Sequence, residues 1–434
     1  MPREIIGLIG LLSVLLLMGL RVPLALAFTV VGTIGVIVLK GFTAGVGMLG
    51  STPFGQVNSY TMSVLPLFVL MGLLVAHTGL AERLFGAALK WCGRLPGGLA
   101  ISTLVVTAFF SGICGSAIAA AATMAATCYP EMKKHNYDSA LSAGVIAVGS
   151  TMVLMIPPSI PMVIFAMVAD QSVARLFLAG LGPGILEVLL FSLCVILMVL
   201  LKPSLAPVPA DTKASLAEKI KASKSVIPLL TIFLLVFGGM YMGVFTPTEA
   251  ASVGVISTFV VCLLMRMMTW QSLKKSLFGT LRLSGKIFFL LIGVMFFNTF
   301  IGLSGLTQAI GRFIIEMNVS PIVFLAIVLL IYIPLGALME EVSMVLLTLP
   351  LYLPIAKMLG IDITYFGVLI ILAWQIGNVC QPVGLICIVT QAQLPELSLV
   401  TVYKGALPFI GVLVIIEALV LLFPDIAMFI PNTM

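Results

Sequence analysis

Apolar runs of membrane-spanning length recur from one end of this 434-residue chain to the other. A helix crosses the hydrocarbon core of a bilayer with about 20 consecutive apolar residues. Inside that core every backbone N–H and C=O must find its partner within the protein, so continuous apolar runs can only become helices. Composition agrees: 61% of residues are hydrophobic and 9% charged, where a soluble domain carries roughly 25% charged residues. The chain therefore reads as an all-α polytopic membrane protein. Spans are expected near 4–20, 22–39, 59–79, 137–168, 178–201, 225–244, 250–266, 287–303, 361–392 and 405–424, about ten in all. Arg3, the run to Leu20 and the small residues Ala25–Ala27 have the outline of a leader and its cleavage site. Arg21 falls between them and a second apolar run continues to Leu39, so two spans are expected instead.

Two further apolar stretches, 98–127 and 322–353, are interrupted at their centres by "SGICGSA" (Ser111–Ala117) and "GALMEEVS" (Gly336–Ser343). Each is expected to enter the membrane, turn and leave on the same side, because irregular backbone is tolerated at that depth only against protein or water. The basic residues support this count. With the N-terminus outside and both stretches as re-entrant hairpins, 17 of the 22 Lys and Arg fall in the cytoplasm; Arg3, Lys40, Arg175, Arg312 and Lys357 fall outside. Both termini and the Lys40–Asn58 segment, read as a loop, then face outward.

The two halves match at a constant offset of 224 residues, which pairs Gly112 with Gly336, Pro130 with Pro354, Lys133 with Lys357, Asp138 with Asp362 and Pro158 with Pro382. The first half starts outside and the second inside, giving an inverted-topology repeat, the plan of many secondary transporters. Residues 1–201 form the first repeat and 225–434 the second. The connector 202–224 lies in the cytoplasm, its second part amphipathic.

Proline breaks the membrane helices at equivalent places. "GSTMVLMIPPSIPMVIF" (Gly149–Phe165) carries Pro157, Pro158 and Pro161, and "GNVCQPVG" (Gly377–Gly384) carries Pro382. Proline removes a backbone donor and clashes with the preceding turn. An unwound break exposes carbonyls that can hold a cation and half-helix N-termini that can face an anion. No Lys or Arg falls at either break or hairpin tip. An anionic substrate would meet helix ends and neutral polar side chains, with Ser116, Ser159, Gln375, Asn378 and Gln381 as candidates. Glu340 and Glu341, at the second hairpin tip, are the acids placed at depth, where an ionisable group usually serves function. His77, at the end of a span, is expected to be interfacial.

Other classes lose ground. The net charge of +6 lies between the apolar runs, as topology signals do, and not in a nucleic-acid-binding patch. The seven cysteines show no metal-ligand spacing and are expected to be buried thiols. There is no phosphate-binding loop and no GxSxG, so neither an enzyme nor a primary pump is expected. Transport energy would come from an ion gradient.

Four segments carry a resemblance: "PLFVLMGLLVAHTGLAERLF", "FSGICGSAIAAAATMAATCYPEMKKHNYDSALSAGVIAVGSTMVLMIPPSIP", "GVFTPTEAASVGV" and "LLTLPLYLPIAKMLGIDITYFGVLI". Together they resemble the large membrane subunit of tripartite ATP-independent periplasmic (TRAP) transporters, over essentially the whole chain. The resemblance implies sodium-driven uptake of small organic acids across the bacterial inner membrane. It implies a periplasmic substrate-binding protein and a small four-span membrane subunit as partners, no covalent cofactor, and an elevator-like motion of hairpins and broken helices. It also implies sodium sites at Ser111, Cys114, Gly115 and Ser116 with Thr151 to Pro158, and at Glu340 with Gly377, Cys380 and Pro382. The family's usual Ser-Gly-Ser-Ser is Cys114-Gly115-Ser116-Ala117 in this chain, its usual Gly is Val153, and its usual Thr-Pro-Pro-Val-Gly is Cys380-Gln381-Pro382-Val383-Gly384. A self-sufficient dicarboxylate symporter of related fold and a passive channel are the competing readings.

Overall fold

A computed structural model describes residues 2–78, 80–207, 215–224, 226–381 and 384–434. Every element among them is helical. In chain order these are α1 (Arg3–Gly19), α2 (Leu24–Lys40), α3 (Phe42–Val57), α4 (Val64–Ala76), α5 (Leu80–Cys92), α6 (Gly98–Cys114), α7 (Ala117–Lys134), α8 (Ser139–Thr151), α9 (Ile160–Ala169) and α10 (Val173–Leu201). Then come α11 (Leu216–Ser223), α12 (Ile227–Phe233), a π-helical turn at Leu234–Gly238, α13 (Gly239–Tyr241), α14 (Pro247–Leu264), α15 (Trp270–Ser304) and α16 (Leu306–Glu316). The last are α17 (Pro321–Leu338), α18 (Glu341–Met358), α19 (Ile363–Val379), α20 (Leu385–Gln393), α21 (Leu399–Leu422) and α22 (Asp425–Met428).

Local chemistry sets many of these boundaries. Asp138 and Asp362, paired by the 224-residue offset, both sit at N-caps: their carboxylates accept from the backbone N–H of Leu141 (2.9 Å) and Tyr365 (3.0 Å). Thr246 and Glu249 form a capping box that starts α14, and Ser215 and Glu218 do the same for α11. Gly305, in the left-handed region at φ 72°, turns the chain from α15 into α16.

Four helices are individually long and apolar enough to cross a bilayer: α10, α14, α15 and α21. Two bent pairs, one built from α3 and α4 and the other from α11 to α13, also qualify when each is taken as one span. The remaining apolar helices are shorter, and the hairpin arms and half-helices of the proline-bearing segments are among them. Large apolar side chains are exposed along the outer helices, Leu189, Leu201 and Leu264 among them, as lipid contact requires.

Two expectations are corrected, and one helix lies where none was expected. Residues 42–57 form a helix, α3, where a loop was read; it packs on α2 and α15 with little burial of its own, so neither an apolar stripe nor a span-length run announced it. The span expected at 287–303 is the upper part of α15, which begins at Trp270. A helix also occupies residues 80–92, between the expected segments.

The two half-helices α8 and α19 lie at the centre. All of α19 and all of α8 from Leu141 onward are buried. α21 packs against both, crossing α8 so closely that a β-carbon on Gly405 would lie 1.7 Å from the Ala140 carbonyl oxygen. On the periphery α2 and α15 pair along their length. Gly32 fits against the backbone of Phe296 and Gly293 against that of Ala25, and the rings of Phe28 and Phe297 are 5.1 Å apart. Lys133, at the end of α7, bonds Glu396 before α21 at 2.7 Å, and the contact holds the Glu396 carboxyl below its ordinary range.

Candidate functional site at the helix breaks

Both proline-bearing segments interrupt their helices. α8 ends at Thr151, a 3-10 turn covers Met152–Leu154, and α9 starts at Ile160 with Pro161 in its first turn. The Pro157–Pro158 peptide bond is cis. Ser159 holds the N-cap position of α9 in extended backbone; its side chain is fully buried, and its Oγ has no hydrogen-bond partner among the described residues. In the second half α19 ends at Val379, Cys380 is extended, and Gly384 re-enters helix through the left-handed region at φ 47°. Pro382 lies outside the described residues.

The two hairpin turns meet these breaks. α6 and α7 are joined by Gly115 and Ser116, with Gly115 at φ 64°. A β-carbon on Gly115 would stand 3.5 Å from the Pro158 carbonyl oxygen, so this tip rests on the first break. Ser116 caps α7, its Oγ accepting from the Ala119 N–H at 3.4 Å. Ser111 and Cys114 fall in the last turn of α6. α17 and α18 are joined by Met339 and Glu340, and a hydrogen bond between Tyr332 and Thr348 ties their inner faces. α17 lies on α19 with backbones nearly touching: a β-carbon on Gly377 would be 2.3 Å from the Ile333 carbonyl oxygen and 2.8 Å from the Gly336 Cα. Only glycine allows that approach.

A small crevice joins the two tips. It is lined by Ala117 beside the first, by Glu340 at the second, and by Trp374, Asn378 and Leu385 around the second break. Its volume is about 10 Å³, roughly that of one water-sized sphere. Of the substrate candidates, Asn378 lines this crevice, Ser116 adjoins it, and Ser159 stands at the first break. Gln381 is exposed, and so is Glu340 despite lining the crevice. Gln375 faces elsewhere: its Nε2 donates to Thr151 Oγ1 at 3.1 Å and to Glu187 Oε2 at 3.2 Å, all three residues being fully buried. The Thr151 hydroxyl in turn donates to the Val148 carbonyl at 2.7 Å. Thr151 and Gln375 are themselves 224 residues apart. Glu187 was not singled out from the sequence, although one acid inside a long apolar run is a recognisable signal.

The family model for the tripartite ATP-independent periplasmic transporter, DctM component, matches residues 9–426. This chain belongs to that family. Among its TRAP relatives is the C4-dicarboxylate transporter large permease DctM of Pseudomonas aeruginosa, 30% identical over 87% of this chain and 88% of that protein. The sialic acid transporter large permease SiaM of Vibrio cholerae is 29% identical over 100% and 98%. The 2,3-diketo-L-gulonate large permease YiaN of Escherichia coli is 28% identical over 88% and 89%. Among solved structures, the YdaH transporter of Alcanivorax borkumensis superposes with a TM-score of 0.62 over 88% of this chain and 89% of that one, at 15% identity. That likeness concerns the fold. In this DctM-family chain, the breaks and tips are where the buried helices are interrupted.

Proposed function

We propose that the chain is the large membrane subunit of a sodium-driven importer of small organic anions, carboxylates or sugar acids, in the bacterial inner membrane. The observation that carries this reading is that the first hairpin turn rests on the first helix break, while Ala117 beside that turn and Glu340 at the second turn share one crevice with the second break. Residues 1–201 and 225–434 are inverted halves joined by the cytoplasmic connector 202–224. The hairpins and broken helices move as one elevator-like core against α1–α5 and α11–α16. Sodium binds at two places where helix ends meet unwound backbone. Ser111, Cys114, Gly115 and Ser116 line one with Thr151 and Pro158; Glu340 lines the other with Gly377, Cys380 and Pro382. The substrate sits beside Ser116, Ser159 and Asn378. The relatives are named for a C4-dicarboxylate, sialic acid and a diketogulonate, which supports an anionic organic substrate without choosing among them. A small four-span subunit braces the outer helices, and a periplasmic binding protein docks near Asp170–Arg175 and around Arg312 and Glu316 on α16.

Reconstitution tests the reading. In proteoliposomes with an inward sodium gradient the chain alone should accumulate nothing. Uptake should appear when the small subunit and a loaded binding protein are added. Robust accumulation by the chain alone would instead identify a self-sufficient symporter. Equilibration without accumulation would identify a channel.

A further inference from the structure

One acid interrupts the apolar sequence from Leu178 to Leu201: Glu187. It lies fourteen residues from either end of α10, about 21 Å along the helix in each direction. It is fully buried. No Lys, Arg or His makes a salt bridge with it among the described residues. Of the elements packed on α10, α6, α9 and α19 carry no Asp, Glu, Lys, Arg or His within them, Asp362 stands at the N-cap of α19, and α21 and α22 bring Lys404, Glu417 and Asp425. None of these four is a hydrogen-bond partner of Glu187. Its one partner among the described residues is the Gln375 amide, which also reaches Thr151, so α8, α10 and α19 meet at this point.

The cluster is rich in acceptors and short of donors. Glu187 Oε1 and Gln375 Oε1 are buried with no hydrogen-bond partner among the described residues, although their side chains already touch at 3.2 Å. A buried carboxylate left without a counter-charge is strongly unfavourable, and buried acceptors without donors add to that. Oxygen ligands suit a hard cation. One carboxylate among neutral oxygens is neutralised by a single positive charge, whereas a divalent ion would leave an excess; no group of three or more acidic, His or Cys side chains stands among the described residues to hold one. We propose that Glu187, Gln375 and Thr151 bind a monovalent cation, sodium, at the junction of α8, α10 and α19, with Glu187 as its charged ligand. This deepens the sodium reading above and rests on it for the identity of the ion. The site shares Thr151 with the first tip site proposed above, and it would couple both broken helices to α10.

Thermal unfolding of the purified full chain in lipid nanodiscs, titrated with sodium chloride against choline chloride, tests the assignment. Sodium should raise the unfolding temperature of the wild type. Glu187→Gln, close in shape, should raise the half-saturating sodium concentration by about tenfold or more. Glu187→Asp should weaken the response less, which keeps the test open if the Gln variant does not fold. Glu340→Gln, at the second tip, should leave the part that depends on Glu187 in place. A full sodium response in both Glu187 variants, lost in Glu340→Gln, would overturn this site and leave the tip sites standing. A wild type indifferent to sodium would overturn both. Stabilisation by acid, with sodium without effect, would assign the Glu187 charge to a proton and also overturn the proposal.

Discussion

Gly377 shows how much a single hydrogen in place of a side chain decides. Its Cα faces the backbone of Ile333 and Gly336, with no flexible side chain between to give way. Gly377→Ala should therefore push α17 off α19 and cost about 1–3 kcal/mol, the usual range for overpacking. A lowered unfolding temperature checks this, with Gly411→Ala as control: nothing among the described residues stands within 4 Å of a β-carbon there, and stability should hold or rise. Ser116 has two roles to separate, because it caps α7 and is also a proposed sodium ligand. Ser116→Ala should raise the sodium needed for half-maximal uptake by roughly five- to thirtyfold, about 1–2 kcal/mol for a lost hydroxyl ligand. Ser116→Gly, which costs a cap only a few tenths of a kcal/mol, should shift the sodium requirement as far as Ala does. Sodium dependence unchanged in Ser116→Ala, Ser116→Gly and Thr151→Ala would remove these hydroxyls from the site.

The broken helices were legible because proline and glycine act locally. Pro157, Pro158 and Pro161 end one helix and start the next where the sequence says they must, and both hairpin turns fall inside the stretches marked by small or acidic residues. The peripheral helices were harder to read. α3 intersperses Gly45, Gly47, Gly50 and Gly55 among polar and apolar residues, holds Pro53 inside it, and depends on α2 and α15 for its place. Glycine and proline are the poorest helix formers, so its local sequence pointed to a loop. The Glu187–Gln375–Thr151 contact was out of reach for another reason: Glu187 stands 36 positions from Thr151 and 188 from Gln375 in sequence, and no local pattern encodes such a meeting. The repeat offset offers a test at this scale. Asp138 and Asp362 cap equivalent half-helices through the same hydrogen bond, so Asp138→Ala and Asp362→Ala should each cost about 1 kcal/mol. Two similar decrements in unfolding temperature are expected; a silent change at either position would show that its helix start is held by packing instead.

For the whole molecule, the sidedness of the basic residues makes the plainest prediction. Single cysteines placed in a Cys-free background at positions 50 and 217, both exposed, should label from the outside and only after permeabilisation, respectively; the reverse pattern would overturn the topology. α15 carries a further consequence. Its 35 residues extend about 52 Å at 1.5 Å per residue, against a hydrocarbon core of about 30 Å. Lys274, Lys275, Arg282 and Lys286 all lie in its first half, where anionic lipid headgroups attract basic side chains. The helix therefore works like a ship's keel. Its charged end fixes the depth at which the protein floats, and because α2 is welded to it through Gly32 and Gly293, the waterline set by one helix is imposed on its neighbour.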